Sequence, residues 1–245
     1  MFKETVGVTI FQRSIKISQL SRSELVSLFE ECYQNESYDD AINHMKEVIK
    51  MSTPLSCDQR QKLFWCYIYL KQPFYALEDS SENSTLSEKA RSEKLAEAEY
   101  EITKINDQAI ELMESYWVKR DVSFEAAADY KCFLAANCAE KAGYQSGQER
   151  KAGTEKAFRL FDEADKMAKK NLSPAHPVVL NIAYYVTNYY RFLLDQPQIA
   201  LSVAREAYEK GLSRLNQLPG ELKRHAEESL KYIKKQIMKI LKNYN

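Results

Sequence analysis

Apolar residues recur every three or four positions along most of the 245-residue chain, which is the spacing of amphipathic α-helices. The clearest example lies within residues 171–214, where two apolar-striped stretches begin with Pro177 and Pro197. Proline fixes φ and lacks an N–H, so it suits the first turn of a helix. The pattern therefore predicts two successive helices that start at these prolines, the second of which ends near Arg214.

The same periodicity predicts seven further helices, separated by short polar or proline-containing segments, and several of them begin with a serine that could cap the helix. The nine predicted helices are Ser21–Asn35, Tyr38–Met51, one from Ser56 that contains Pro73, Ser87–Val118, Ser123–Ala142, Arg150–Lys170, those from Pro177 and Pro197, and one from Gly220 to Lys242. Nine helices with short loops predict an all-α fold in which neighbouring helices pack antiparallel. We expect residues 1–20 to be an N-terminal extension and residues 21–245 to form a single helical domain.

Composition excludes several classes of protein. No apolar stretch is long enough for a transmembrane helix, and the first twenty residues lack the apolar core of a signal peptide. The five cysteines lack C-x-x-C spacing and the three histidines are scattered, so we expect buried, reduced thiols and no metal site. The chain has no Gly-rich phosphate loop, no H-E-x-x-H motif and no convincing nucleophile–base pair. We therefore expect neither an enzyme nor a cofactor.

Charge is balanced overall but unevenly distributed. Lys and Arg number 35, as do Asp and Glu, yet basic residues clearly outnumber acidic ones from Arg214 to Lys242. The favoured interpretation is the solvated face of the last helix. The alternative is a surface for nucleic acid or for an anionic membrane.

Three motifs resemble one known family. The segment Ser173–Pro177 (SPAHP), followed by a tyrosine-rich helix and Pro197, resembles the 14-3-3 family, as do Tyr38–Asp40 and Asp129–Ala135. The resemblance covers roughly residues 23–240 and agrees with the order of nine helices. It implies a non-enzymatic, cytoplasmic adaptor for phosphoserine or phosphothreonine peptides, built as a dimer of cup-shaped subunits with a concave groove. A tetratricopeptide-like scaffold of helix pairs is the alternative fold.

The resemblance also implies where a peptide groove would lie. The family holds the phosphate with a Lys and an Arg on the third helix and an Arg–Tyr pair on the fifth, because cationic donors suit phosphate oxygens. Carried across without gaps, these four positions fall on Ile68, Tyr75, Cys132 and Phe133. Two asparagines, a tryptophan and a lysine of the groove fall on Tyr185, Gln236, Ile240 and Glu125. The resemblance therefore predicts a groove whose phosphate-binding chemistry has been lost.

Two lysines are candidates for a displaced cationic site. Lys71 can share a helix face with Ile68 and Tyr75, whereas Lys131 points about 100° away from Cys132. Three interpretations of the groove remain open. In the first, the groove is apolar and aromatic and binds an unphosphorylated partner. In the second, the phosphate site is displaced to these lysines, and in the third, the groove is filled by its own side chains.

The expected partners are proteins or peptides, and we expect neither a membrane nor nucleic acid. The family implies a homo- or heterodimer through the first, second and fourth helices. Asp40 keeps an acidic interface position of the family, but the usual arginine three residues earlier is Ser37. If Leu25, Phe29 and Cys32 face outward, burial of apolar surface would still hold such a dimer together.

Overall fold

The structure is a computed structural model that describes residues 20–51, 54–78, 87–117 and 122–244, and these ranges contain helices and no strand. Most of the predicted N-terminal extension, residues 1–19, lies outside the described residues. The helices are α1 (Arg22–Gln34), α2 (Tyr38–Lys50), α3 (Cys57–Glu78), α4 (Glu88–Leu112), α5 (Phe124–Gly143), α6 (Gly147–Asn171), α7 (Pro177–Asn188), α8 (Pro197–Arg214) and α9 (Gly220–Tyr244). The prediction of an all-α, nine-helix fold is confirmed within these ranges.

Local sequence signals determine where several helices start. Ser21 and Glu24 form a reciprocal capping box at α1, in which the serine hydroxyl accepts the Glu24 N–H and the carboxylate accepts the Ser21 N–H at 2.7 Å. The Ser87 and Ser123 hydroxyls likewise accept the backbone N–H three residues on, at α4 and α5. Prolines occupy the first positions of α7 and α8, as predicted.

Two helix boundaries differ from the prediction. Helix α6 begins at Gly147 rather than at Arg150, and Gly147 itself adopts a φ of +56°, which favours glycine. Helix α4 continues into a short π-helical segment, Met113–Trp117, rather than running as one regular α-helix. The predicted end of that helix at Val118 lies outside the described residues.

The chain divides into two compact units, and the first comprises Met1–Cys66. It contains α1, α2 and the beginning of α3, with α1 packed on α2. Leu25 and Phe29 are fully buried in this unit, whereas Cys32 is half-buried. Leu25 and Phe29 therefore do not face outward, because the apolar stripe of α1 is packed inside the single chain, and the condition for a dimer held together by these side chains is not met.

The second unit comprises Tyr67–Asn245 and contains every predicted groove position. Its consecutive helices pack on one another from α4 to α9. One buried cluster joins α7, α8 and α9, and it consists of Leu180, Ala204, Ala226, Leu230 and Ile233. Within the described part of the chain, every helix is too short or too polar to span a bilayer.

Candidate peptide-binding site

Two of the predicted groove positions, Ile68 and Tyr75, lie on α3 and are half-buried. They are seven residues apart, which is about two helical turns, so their side chains leave the helix on the same side. Lys71 lies between them, one turn from each. This helix face is therefore where the family's phosphate ligands would be expected.

The ammonium group of Lys71 is enclosed by acceptors from two other helices. Lys71 is only 4% exposed. It donates to the Asn106 side-chain oxygen on α4 at 3.0 Å, to that of Asn137 on α5 at 3.5 Å, and to the carboxylate of Glu140 on α5. Asn137 is itself held by a 2.8 Å hydrogen bond to the Phe133 carbonyl. The charge of Lys71 is thus compensated inside the protein.

Glu140 contacts both Lys71 and Tyr75. Its carboxylate forms an ion pair with Lys71 and also accepts a hydrogen bond from the Tyr75 hydroxyl. About a quarter of the Glu140 side chain remains exposed, compared with 5% for the Lys71 side chain. Tyr75, which replaces an arginine of the family, therefore faces a carboxylate. The positive charge of Lys71 is balanced by the negative charge of Glu140.

On α5, the family's Arg–Tyr pair is replaced by two buried residues. Cys132 is 2% exposed and Phe133 is 3% exposed, and the Phe133 ring packs 5.9 Å from that of Tyr67. Burial raises the pKa of Cys132 well above its ordinary value, and Asp129 and Asp165 add to this effect. The thiol is consequently neutral, and neither side chain can supply a positive charge.

Lys131, the second candidate cation, is occupied elsewhere. Its ammonium group lies 2.6 Å from the carboxylate of Glu163 on α6. Glu163 also lines a cavity of about 220 Å³ between the π-helical segment, α5 and α6, together with Glu114, Leu134, Lys156, Arg159 and Leu160. Both lysines that the sequence proposed as displaced phosphate ligands therefore form ion pairs within the chain.

Tyr185 on α7 replaces a ligand-binding asparagine of the family. Burial raises its pKa well above the ordinary value, with further contributions from Cys132, Tyr184, Asp129 and Glu140. The hydroxyl is therefore neutral and lies near the groups on α5. The structure thus places the Tyr75 hydroxyl against the carboxylate of Glu140 and brings Tyr185 close enough to α5 to be affected by Cys132 and Glu140.

The two predicted groove positions on α9 differ in exposure. Ile240 is 1% exposed and belongs to the core, whereas Gln236 is half-buried. The Gln236 side-chain oxygen accepts a 3.0 Å hydrogen bond from the guanidinium of Arg191. Arg191 lies in the π-helical segment Tyr189–Leu193 that extends α7, and its guanidinium also lies 4.6 Å from the centre of the Phe192 ring.

Arg191 is a functional candidate that the sequence interpretation missed. It is 9% exposed, and within the described residues its guanidinium has no acidic partner. Periodicity placed Arg191 on the inward stripe of this helix but gave no sign that its charge would lie beside Gln236. Arg191 is a buried cation beside the predicted groove residue Gln236, and such a group is a candidate for a functional role. The substituted family positions alone do not reveal it.

The remaining predicted position, Glu125, lies at the start of α5. Its carboxylate is 4.0 Å from the imidazole of His176, which caps α7 by accepting the Val178 N–H. The family's groove lysine is thus replaced by an acidic group beside a histidine. Among the described residues, no cluster of histidine, cysteine and carboxylate side chains could hold a metal ion.

Comparison with known proteins agrees with this architecture. A family model described as 14-3-3 protein matches residues 28–241. The chain is 23% identical over 211 residues to 14-3-3 protein 2 of Entamoeba histolytica, covering 82% of this chain and 88% of that protein. It is 27% identical over 219 residues to the 14-3-3-like protein GF14-12 of Zea mays, covering 83% of this chain and 82% of that protein. Identity to 14-3-3 protein beta/alpha of Mus musculus is 23% over 209 residues, covering 82% and 85%. The chain belongs to the 14-3-3 family, of which it is a divergent member.

Proposed function

We propose that this protein is a non-enzymatic interaction protein that recognises its ligands without the phosphate pocket of its family. The observation that carries the proposal is the ion pair between Lys71 and Glu140, together with the hydrogen bond from Tyr75 to the same carboxylate. A phosphate at this place would meet a carboxylate that is about a quarter exposed and no unpaired lysine from the described residues. Like charges at close range disfavour such a complex.

The binding free energy that the lost donors would supply is comparable with that of a whole complex. A hydrogen bond to a charged group contributes about 1.5–3 kcal/mol, so losing three cations and a phenol, four donors in all, would remove about 6–12 kcal/mol. A micromolar complex is worth only about 8 kcal/mol in total. Transferring a phosphate from water to the buried surface of Cys132 would add a desolvation cost. The family's usual affinity for phosphopeptides therefore has no source at these positions.

The groove offers apolar and phenolic surface instead. By this proposal, the floor of the groove is formed by three buried residues, Phe133, Cys132 and Ile240. Two half-buried residues, Ile68 and Tyr75, remain accessible to a ligand. Such a surface suits an unphosphorylated amphipathic segment, whose apolar side chains occupy the groove and whose polar side chains remain in water. The ligand class we propose is therefore an unphosphorylated amphipathic peptide of a partner protein.

A second candidate function is favoured by Arg191. Its guanidinium donates to the side-chain oxygen of Gln236. Because arginine has only donors, the NH₂ group of Gln236 does not bond to Arg191 and can donate to another group. A guanidinium beside an amide NH₂ is an array of donors, which suits a carboxylate or phosphate. By this alternative, the cationic site of the family is displaced to Arg191 and the protein binds acidic or phosphorylated peptides there.

Selection of peptides on the whole chain separates the two functions. A phage library displays unphosphorylated peptides, and selected peptides are then synthesised with and without phosphate on a central serine. Under the first proposal, Ile68→Glu weakens their binding at least tenfold, and phosphorylation weakens it too. The matched control is Phe158→Glu on α6, which places the same charge on an exposed aromatic position.

Three outcomes count against the first proposal. They are unchanged binding to the Ile68→Glu variant, equal loss in the Phe158→Glu control, and a tenfold gain in affinity when the peptide is phosphorylated. If the selected peptides are acidic and Arg191→Gln abolishes their binding, the second candidate function is correct.

Cytoplasmic location and dimerisation are further proposals that follow from the family. Light scattering tests dimerisation.

A further inference from the structure

The outer face of α9 carries a dense group of lysines. Five of them are exposed, and we call them the lysine face: Lys231, Lys234, Lys235, Lys239 and Lys242. From Ser229 to the end of the sequence there is no aspartate or glutamate. The basic excess seen in the sequence is therefore concentrated in the second half of one helix.

Helical geometry places these lysines on one side of α9. At 100° per residue, they lie within an arc of about 140° on the side opposite Ile233 and Ile240. Those two isoleucines are each 1% exposed and anchor the helix in the core. From Lys231 to Lys242 the helix rises about 16 Å, so the five charges lie on a short and nearly straight strip.

The lysine face is not neutralised by the rest of the described chain. None of its five ammonium groups forms an ion pair within the described residues, whereas Lys166, Lys169 and Lys210 on other helices each pair with a carboxylate four residues away. The acidic residue just before the face, Glu228, pairs with Arg224 at 3.2 Å. The positive charge of the face is therefore available to an external partner.

An exposed apolar side chain lies in the middle of this positive face. Met238 is 61% exposed and lies near the centre of the arc, between Lys235 and Lys242 along the helix. Tyr232 is 43% exposed at the edge of the face, and the ammonium of Lys235 lies 5.7 Å from its ring centre. An apolar group surrounded by cations matches a partner that is anionic at its surface and apolar just beneath it.

Contrary to the expectation from the sequence that no membrane is a partner, we propose that the lysine face binds the surface of a membrane that contains anionic phospholipid. The lysines attract the headgroups, and Met238 enters the boundary between headgroups and acyl chains. Nucleic acid fits less well, because Met238 would face its phosphates and the face contains no arginine for forked contacts. The proposal does not depend on the ligand of the groove, and the apolar side of α9 stays inside the protein.

Because attachment would be electrostatic, it should be weak and sensitive to salt. Each lysine near an anionic surface contributes about a fivefold change in partition coefficient. Replacing two lysines should therefore reduce binding about 25-fold. Inserting a single methionine side chain contributes a smaller, severalfold change.

Cosedimentation of the full chain with vesicles tests the proposal. The vesicles contain phosphatidylcholine alone or with about 30% phosphatidylserine, at low and at near-physiological salt. We expect binding only to the anionic vesicles, a loss of about 25-fold for Lys231→Gln/Lys235→Gln, and a severalfold loss for Met238→Gln. The matched control, Lys166→Gln/Lys169→Gln on α6, changes net charge equally and should lose less than twofold. Circular dichroism confirms that each variant is folded.

Four results overturn the proposal. They are equal binding to neutral vesicles, no binding to anionic vesicles at low salt, an equal loss in the α6 control, and tighter binding to duplex DNA than to anionic vesicles with the same dependence on the lysine face. The last result would assign the face to nucleic acid. The groove variant Ile68→Glu should bind vesicles like the unmodified chain, so failure of the proposed function and failure of this inference are distinguishable.

Discussion

Replacing Lys71 by methionine should destabilise the fold far more than an average lysine substitution does. Methionine has a similar length and volume, so the change removes the charge without leaving a large cavity. Glu140 would then lose its cation, and the Asn106 and Asn137 oxygens would lose a donor. Removing one partner of a buried ion pair costs about 3–5 kcal/mol. Because Glu140 keeps the hydrogen bond from Tyr75 and a quarter of its side chain is exposed, we expect about 3 kcal/mol.

The assay is urea unfolding followed by circular dichroism for Lys71→Met, Glu140→Gln and the double variant. The double variant should lose less stability than the sum of the two single variants, by at least about 1.5 kcal/mol, because the two side chains interact directly. Lys131→Met is the matched control, since Lys131 pairs with a carboxylate that is more than half exposed, and it should cost less than about 1 kcal/mol. If Lys71→Met costs no more than the control, or if the two changes are additive, Lys71 is not committed to Glu140 and the reasoning fails.

Two further predictions concern packing and thiol chemistry. Gly153→Ala should destabilise the protein by about 1–3 kcal/mol in urea unfolding, because the new Cβ would lie 2.9 Å from the Ala142 Cβ. Gly143→Ala, where nothing lies within 4 Å, should have no such cost, and equal effects would contradict the packing argument. Because burial raises the pKa of Cys132 well above its ordinary value, its reactive thiolate stays scarce as pH rises from 7 to 9. Iodoacetamide followed by mass spectrometry should modify half-buried Cys57 well before Cys132 in that range, and the reverse order would contradict the assigned burial.

The helices were predictable because their signals are local. Ser21 with Glu24 marks the start of α1, and the prolines mark those of α7 and α8. Each signal acts through hydrogen bonds or backbone angles within one turn, so it can be read without the tertiary structure. The start of α6 was less clear, because Gly147 serves both as a turn residue and as the first residue of the helix.

The site was only partly predictable, because its decisive contacts are between helices. The sequence indicated which family residues are replaced and drew attention to Lys71. It gave no sign that Glu140 would lie beside this lysine, because the two residues are 69 positions apart and on different helices. Asn106 and Asn137 did leave a weak signal, since each is a polar residue among the apolar residues of a buried helix face. Which neighbour such a residue faces depends on the packing of the helices, and periodicity does not determine that packing.

The pairing of Lys71 inside the chain predicts that this 14-3-3 protein does not bind phosphate at the position its family uses. Fluorescence anisotropy with a labelled phosphoserine peptide and its unphosphorylated twin, on the full chain at near-physiological salt, tests this prediction. We expect that phosphate does not strengthen binding. Low-micromolar binding that falls at least tenfold without the phosphate would contradict this expectation.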